Sequence, residues 1–159
     1  MESPTQNQPE SQKNPARYLA IDPGETYGWA SFDAKGEVVN MGQFHWHGDI
    51  KTLDNLIGDF IHTVIVEDYK NFGWMQQKKW TKNQTSKNIG KIEAICELKG
   101  IKLELQPNTV KSIGYMWAGR AAPKNHSISH QYDAFAHGVY YLQSKGIRSA
   151  ILSIPPEDR

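Results

Sequence analysis

The chain has 159 residues, 38% of them hydrophobic and 11% aromatic, and a formal net charge of +1 at pH 7. That length supports one domain with a buried core, and no apolar run approaches the length of a membrane helix, so no membrane partner is expected. One cysteine, Cys96, excludes an internal disulfide and leads us to expect a cytoplasmic protein.

The first sixteen residues, MESPTQNQPESQKNPA, are polar and lack both an apolar centre and a run of arginines. They read as a disordered tail rather than a targeting segment. Residues 148–159 read as a second tail, which leaves 17–147 as the domain. A strand is expected at Tyr18–Asp22, where Leu19-Ala20-Ile21 delivers an acid to the Pro23-Gly24 turn. Strands follow at 29–32 and 37–44, turned by Lys35-Gly36. Leu53, Leu56, Ile57 and Phe60 recur at helical spacing, which predicts a helix over 50–62. Val64–Glu67 is a β-branched run that again ends in acid. A loop is expected at 69–82, then a helix at 84–99 marked by Ile89, Ile92, Ile95 and Cys96 and stopped by Gly100. Cys96 is expected in the core. A strand at 101–105 precedes a short helix over 107–113, opened by Pro107. The last helix, 127–145, is to be capped by Ser127 or Ser129 and ended by Gly146. This order predicts an α/β domain: a mixed five-stranded sheet, three strands antiparallel and two parallel, flanked by helices.

The acids carry the chemistry. Parallel pairing of the first and fourth strands would put Asp22 and Glu67 side by side at their carboxyl ends, where ligands of such sheets gather. A carboxylate at a rigid strand end suits a metal ion, although Asp22-Pro23-Gly24 also reads as a turn without chemistry. On the last helix His126, His130, Asp133 and His137 fall at i, i+4, i+7 and i+11, on one face. Such a face is often a solvated stripe, but here it can bring Asp133 to the two strand-end acids. Charge adds a second signal. Lys70 to Lys111 holds nine lysines against Glu93, Glu97 and Glu104, a balance of +6 that leaves −5 for the remainder. A basic block beside an acidic site suits a polyanion; the alternative is a solvated lysine-rich helix and loop.

These residues resemble the RuvC-type Holliday junction resolvases of the RNase H-like superfamily, in a compact phage-like form. Ile21-Asp22-Pro23-Gly24 with Gly28-Trp29-Ala30 is similar to the family's opening motif, and Val66-Glu67 to its second acid. Asn83 to Gly100 resembles the helix after that acid. Pro107-Asn108-Thr109-Val110-Lys111 resembles the stretch that leads to its last segment, and His130-Gln131-Tyr132-Asp133-Ala134 the C-terminal motif. The resemblance spans about residues 17–145. It departs in the Trp- and Lys-rich loop near 70–82, and in His130, which stands where many relatives carry Asp. His126 and His137 are not implied by the family pattern and stay outside the expected set.

The resemblance implies an RNase H-like sheet, a metal-dependent endodeoxyribonuclease, four-way DNA junctions as substrate and a homodimer that nicks them symmetrically. Asp22, Glu67, His130 and Asp133 are then the catalytic and metal-binding residues. They would hold two Mg²⁺ ions, replaceable by Mn²⁺, with His130 as ligand or as the group that positions the water. In the loop after Glu67, Tyr69, Phe72, Trp74 and Trp80 alternate with Lys70, Lys78, Lys79 and Lys82. Such aromatics can stack on bases while the ammonium groups hold phosphates. Lys87, Lys91 and Lys111 are further candidates for backbone contact. The expected location is the cytoplasm, that of a host cell if the protein is phage-encoded. Three other readings compete: a broader flap or fork nuclease, a branched-DNA binder without cleavage, and, from Asp22-Pro23-Gly24-Glu25-Thr26, an actin-like ATPase. The last requires a much longer chain. His45, His47 and Cys96 lack the spacing of a zinc module.

Overall fold

The structure, a computed structural model, describes residues 14–45, 49–68 and 79–148, with the side chains of 79–84 and 126 outside the description. Five strands form one sheet: β1 (Tyr18–Asp22), β2 (Thr26–Phe32), β3 (Val38–His45), β4 (Thr63–Asp68) and β5 (Lys102–Pro107). Their order is β3-β2-β1-β4-β5. β1–β2 and β2–β3 pair antiparallel, while β1–β4 and β4–β5 pair parallel. The described helices are α1 (Ile50–Leu56), α2 (Lys79–Lys99), α3 (Val110–Trp117) and α4 (His126–Ser144). The expected mixed sheet is therefore observed, and its helices cover both faces. None of the described helices is long and apolar enough to cross a membrane.

Alternation along the strands decides which layer each side chain joins. On one face Ala20, Ala30, Phe32 and Ile65 pack with Tyr115 of α3 and with Tyr132, Phe135, Val139 and Leu142 of α4. On the other, Leu19, Ile21, Val64 and Val66 pack with Leu53 and Ile57 and with Ile89, Ile92, Ile95 and Cys96 of α2. Cys96 is a core residue, and burial pushes its thiol up to about 11.

β2 and α2 begin earlier than expected, at Thr26 and Lys79, and α3 runs on to Trp117; three further boundaries differ for a physical reason. α1 stops at Leu56, not 62, because Ile57 leaves helical geometry and the chain turns at Gly58 to enter β4. Phe60, expected on the apolar stripe, is 67% exposed, and Ile61 takes the core position instead. Lys99 Nζ holds the freed Ile57 carbonyl at 2.6 Å. Pro107 ends β5, paired with Asp68, rather than opening α3; β5 is an edge strand, where a missing N–H is tolerated. α4 begins one residue early, capped by Asn125, whose side chain accepts from the Ser127 N–H at 3.0 Å. Arg148, assigned to the second tail, is buried against Gly36 and stacks over Phe135.

Close approach sets α4 on the sheet. A methyl built on Gly28 of β2 would overlap the His130 carbonyl, and one on Gly114 of α3 would overlap that of Ala136. Only hydrogen fits at either place.

Candidate active site

Ile21 pairs with Val66, so Asp22 and Glu67 are the next residues of two adjacent parallel strands. Both share parity with the residues that face α4, namely Ala20 and Ile65. Glu67 pairs in turn with Gln106 of β5. The strand ends thus present Asp22, Glu67 and Gln106 in a row beneath α4, which supplies His130, Asp133 and His137 at successive turns. Asp22, Glu67, His130 and Asp133 line one cavity of about 220 Å³, together with Pro23, Thr85 and Lys111. A larger cavity, about 450 Å³, lies at the opposite ends of β4 and β5 and has one carboxylate, Asp59, in its lining.

The contacts divide the acids between partners. His130 Nδ1 lies 3.1 Å from Asp22 Oδ2. Lys111 Nζ bridges Asp133 Oδ2 at 3.2 Å and Glu67 Oε2 at 3.9 Å. Tyr115, one turn further along α3, donates its hydroxyl to Asp133 Oδ1 at 2.7 Å. Asn88 of α2 donates to the Gly24 carbonyl at 3.1 Å and so ties down the turn that follows Asp22. Asp22 and Glu67 are nearly buried, with side chains 13% and 11% exposed, and His130 is the most open at 41%.

Protonation equilibria reflect this crowding. Burial raises the Asp22 carboxyl above the ordinary range; the His130 hydrogen bond opposes this, while Glu67 and Asp133 add to it. Glu67 goes the other way: burial pushes it up, but the contact with His137 and the Lys111 charge outweigh burial. His130 is raised, first by its bond to Asp22. Lys111 is half-buried, which opposes its charge, but Glu67, Asp133 and Asp22 hold it above the usual lysine value. Burial and the bond to Asp133 raise the Tyr115 phenol.

A raised histidine has a definite consequence for stability. The His130–Asp22 pair contributes fully below the ordinary 6.5 and is lost as pH rises through the higher folded value. In EDTA, the Tm of the wild type is expected to fall more steeply than that of His130→Gln between about pH 6 and pH 9. Parallel Tm profiles would show that the pair contributes nothing. Tyr115→Phe removes a charge-assisted bond to a partly buried carboxylate, and a loss of about 1.5–3 kcal/mol in urea unfolding is expected. An unchanged unfolding midpoint would mean that solvent replaces the phenol.

By its chemistry the donor set fits a hard divalent cation: three carboxylates and one imidazole, with Asp22 carrying a charge surplus that a cation relieves. Among the described residues no three such groups stand in a ready-made ligating arrangement, and the Lys111 ammonium lies between Glu67 and Asp133. A cation there competes with Lys111.

Several residues entered the site without having been expected in it. Lys111 was assigned to the DNA backbone and lies among the carboxylates. Tyr115, Thr85 and Gln106 had no signal in the sequence. His137 had one, its place on the His130–Asp133 face. Lys87 is exposed and Lys91 half-buried on α2. Lys79, Trp80 and Lys82 fall in the first turns of α2, a position expected to be loop. Tyr69, Lys70, Phe72, Trp74 and Lys78 lie outside the described residues.

No protein-family model matches the sequence, and no curated protein matches it. Solved structures do match. Thermus thermophilus RuvC in complex with Holliday junction substrate superposes with a TM-score of 0.61 at 13% identity, over 82% of this chain and 96% of that one. Another structure of T. thermophilus RuvC gives 0.57 at 14%, with the same coverage. Ydc2, the yeast mitochondrial Holliday junction resolvase, gives 0.60 at 9%, over 86% of this chain and 82% of that one. The fold is that of the RuvC-type resolvases.

Proposed function

We propose that this protein is a metal-dependent endodeoxyribonuclease that resolves four-way DNA junctions by paired, symmetric nicks. One observation carries the reading: Asp22, Glu67, His130 and Asp133, drawn from β1, β4 and α4, share one cavity. The resolvase fold supports it, as does the Holliday junction bound to one structural neighbour.

Phosphodiester hydrolysis requires an activated water and relief of charge on the departing oxygen. Asp22, Glu67 and Asp133 would hold Mg²⁺ or Mn²⁺, two ions per site, with His130 as a fourth ligand or as the group that positions the water. Bound there, the ions supply Lewis acidity and lower the pKa of bound water. The chain's own groups do the rest. Lys111 places a positive charge where a phosphate would enter, and Asn88 and Gly28 fix the height of Asp22 and His130. His130, the most open of the four groups, is the one able to exchange a proton with substrate or solvent. Lys87, Lys91 and the basic segment before α2 would hold the phosphate backbone. A homodimer matches the two-fold symmetry of the junction and provides one site per nicked strand.

The test is a panel of labelled four-way junction, duplex and flap DNA with Mg²⁺, Mn²⁺ or EDTA. Paired nicks are expected in the junction with either metal and none with EDTA. Equal cutting of flaps would widen the function to a structure-selective nuclease. Tight binding with no cutting under either metal would overturn the enzymatic reading.

A further inference from the structure

His137 is fully buried, and nothing so far gives it a task. Its Nδ1 lies 3.0 Å from Gln106 Oε1, itself on a buried side chain. Its Nε2 meets no ordinary hydrogen-bond partner and lies 3.4 Å from Glu67 Oε2. That distance is at the long end of hydrogen bonding, as is common for such contacts before substrate arrives.

A histidine kept only for packing would satisfy both nitrogens or be replaced by an apolar residue, because a buried unpaired nitrogen costs stability. Here one nitrogen is anchored and the other lies beside a carboxylate of the site. A bare Nε2 lone pair would repel Glu67, so Nε2 carries the proton. The Gln106 amide, turned about its last bond, donates its N–H₂ to Nδ1 and leaves Nε2 as the donor toward Glu67.

We propose that His137 is a positioning residue: anchored by Gln106, it holds Glu67 Oε2 so that Oε1 is the oxygen offered to a metal ion. The register makes this possible, since Glu67 and Gln106 are paired neighbours on β4 and β5 and His137 lies across both, one helical turn after Asp133. Lys111 approaches the same oxygen, Oε2, at 3.9 Å. Both positive or N–H groups therefore engage one side of the carboxylate. Partners that orient a metal ligand in this way typically change metal affinity by about 10–100-fold when removed. The proposal rests on the nuclease reading, and the experiment separates the two.

His137→Leu, His137→Gln and Gln106→Leu are compared with the wild type by urea unfolding and by Mn²⁺ titration of the DNA-free protein, with free Mn²⁺ followed by EPR. His137→Leu is expected to unfold at a lower urea concentration than the wild type, because it leaves the buried Gln106 amide without its partner, while its Mn²⁺ Kd rises about 10–100-fold. His137→Gln, which restores a side-chain N–H, should recover part of that loss, and Gln106→Leu should show a smaller loss in the same direction. A wild-type Kd in His137→Leu overturns the proposal, as does a His137→Gln no better than His137→Leu. Should His137→Leu fail to fold, the wild-type imidazole ¹⁵N spectrum decides. A protonated Nε2 that shifts in Glu67→Gln supports the proposal, and a bare Nε2 overturns it. A wild type that takes up no Mn²⁺ and cuts no junction defeats the nuclease reading, and the ¹⁵N spectrum then still reports whether His137 holds Glu67.

Discussion

Asp22→Asn is expected to abolish junction cleavage and to raise the melting temperature at once. Asp22 sits where burial disfavours its charge and where Glu67 and Asp133 add like-charge repulsion. An acid whose folded pKa is raised destabilises the fold at any pH above its ordinary 3.8, and stability falls as pH rises through that window. Asparagine keeps the shape and leaves an oxygen for His130 Nδ1, but removes the charge. Cleavage should fall by roughly 10³–10⁶-fold, the range seen when a central member of a catalytic constellation is lost. Junction binding should stay within about threefold, because phosphate contacts dominate affinity. Tm should rise by about 2–4 °C, the shift that ~1 kcal/mol produces in a domain of this size. A cleavage-dead variant that also melts lower would show Asp22 to be a structural acid, comfortable where it sits.

Gly28→Ala carries the second large expectation, although residue 28 takes no part in the chemistry. Its added methyl would overlap the backbone of His130, so α4 must lift or β2 must yield. Gly28 pairs with Asp22 across β1–β2, and any such shift therefore alters the His130–Asp22 distance directly. Overpacking of this kind costs about 1–3 kcal/mol, and a misplacement of about 1 Å in a reacting constellation costs roughly 10²-fold in rate. Gly90→Ala is the matched control, since a methyl there meets nothing within 4 Å. In a helix that change should be neutral or stabilise by about 0.5–1 kcal/mol. Urea unfolding and nicking rates on both variants provide the check. Gly28→Ala with wild-type rate and stability would mean that α4 moves freely on the sheet.

The sheet was legible because its strands are short segments rich in apolar residues and bounded by Pro, Gly and charged turns, and because parity along β1 and β4 fixes where Asp22 and Glu67 point. Pro107 was misplaced because proline suits a helix's first turn and a strand's last residue equally, and only pairing with Asp68 distinguishes them. Phe60 matched a helical stripe that the chain abandons at Gly58. Lys111, expected only as a DNA-backbone contact, and Tyr115, not expected at all, were missed among the carboxylates for a different reason. Their position depends on α3 docking against α4, and that contact is licensed by the absence of a side chain at Gly114. His137 shared a helix face with His130, but α4 is flanked by both the sheet and α3, so a face that reads as solvated in isolation is half-buried at His130 and Asp133 and fully buried at His137.

The chain distance across the site has a consequence in time. His130 and Asp22 are separated by 108 positions, and Asp22 and Glu67 both precede the segment that carries α3 and α4. A nascent chain therefore holds at most two of the four groups until α4 is made. Closing contacts of such long range costs more chain entropy than the local antiparallel pairing of β1, β2 and β3. On the proposed reading, competence to cut arrives only when α4 docks on the sheet, since no stretch of the chain that stops before α4 carries all four groups.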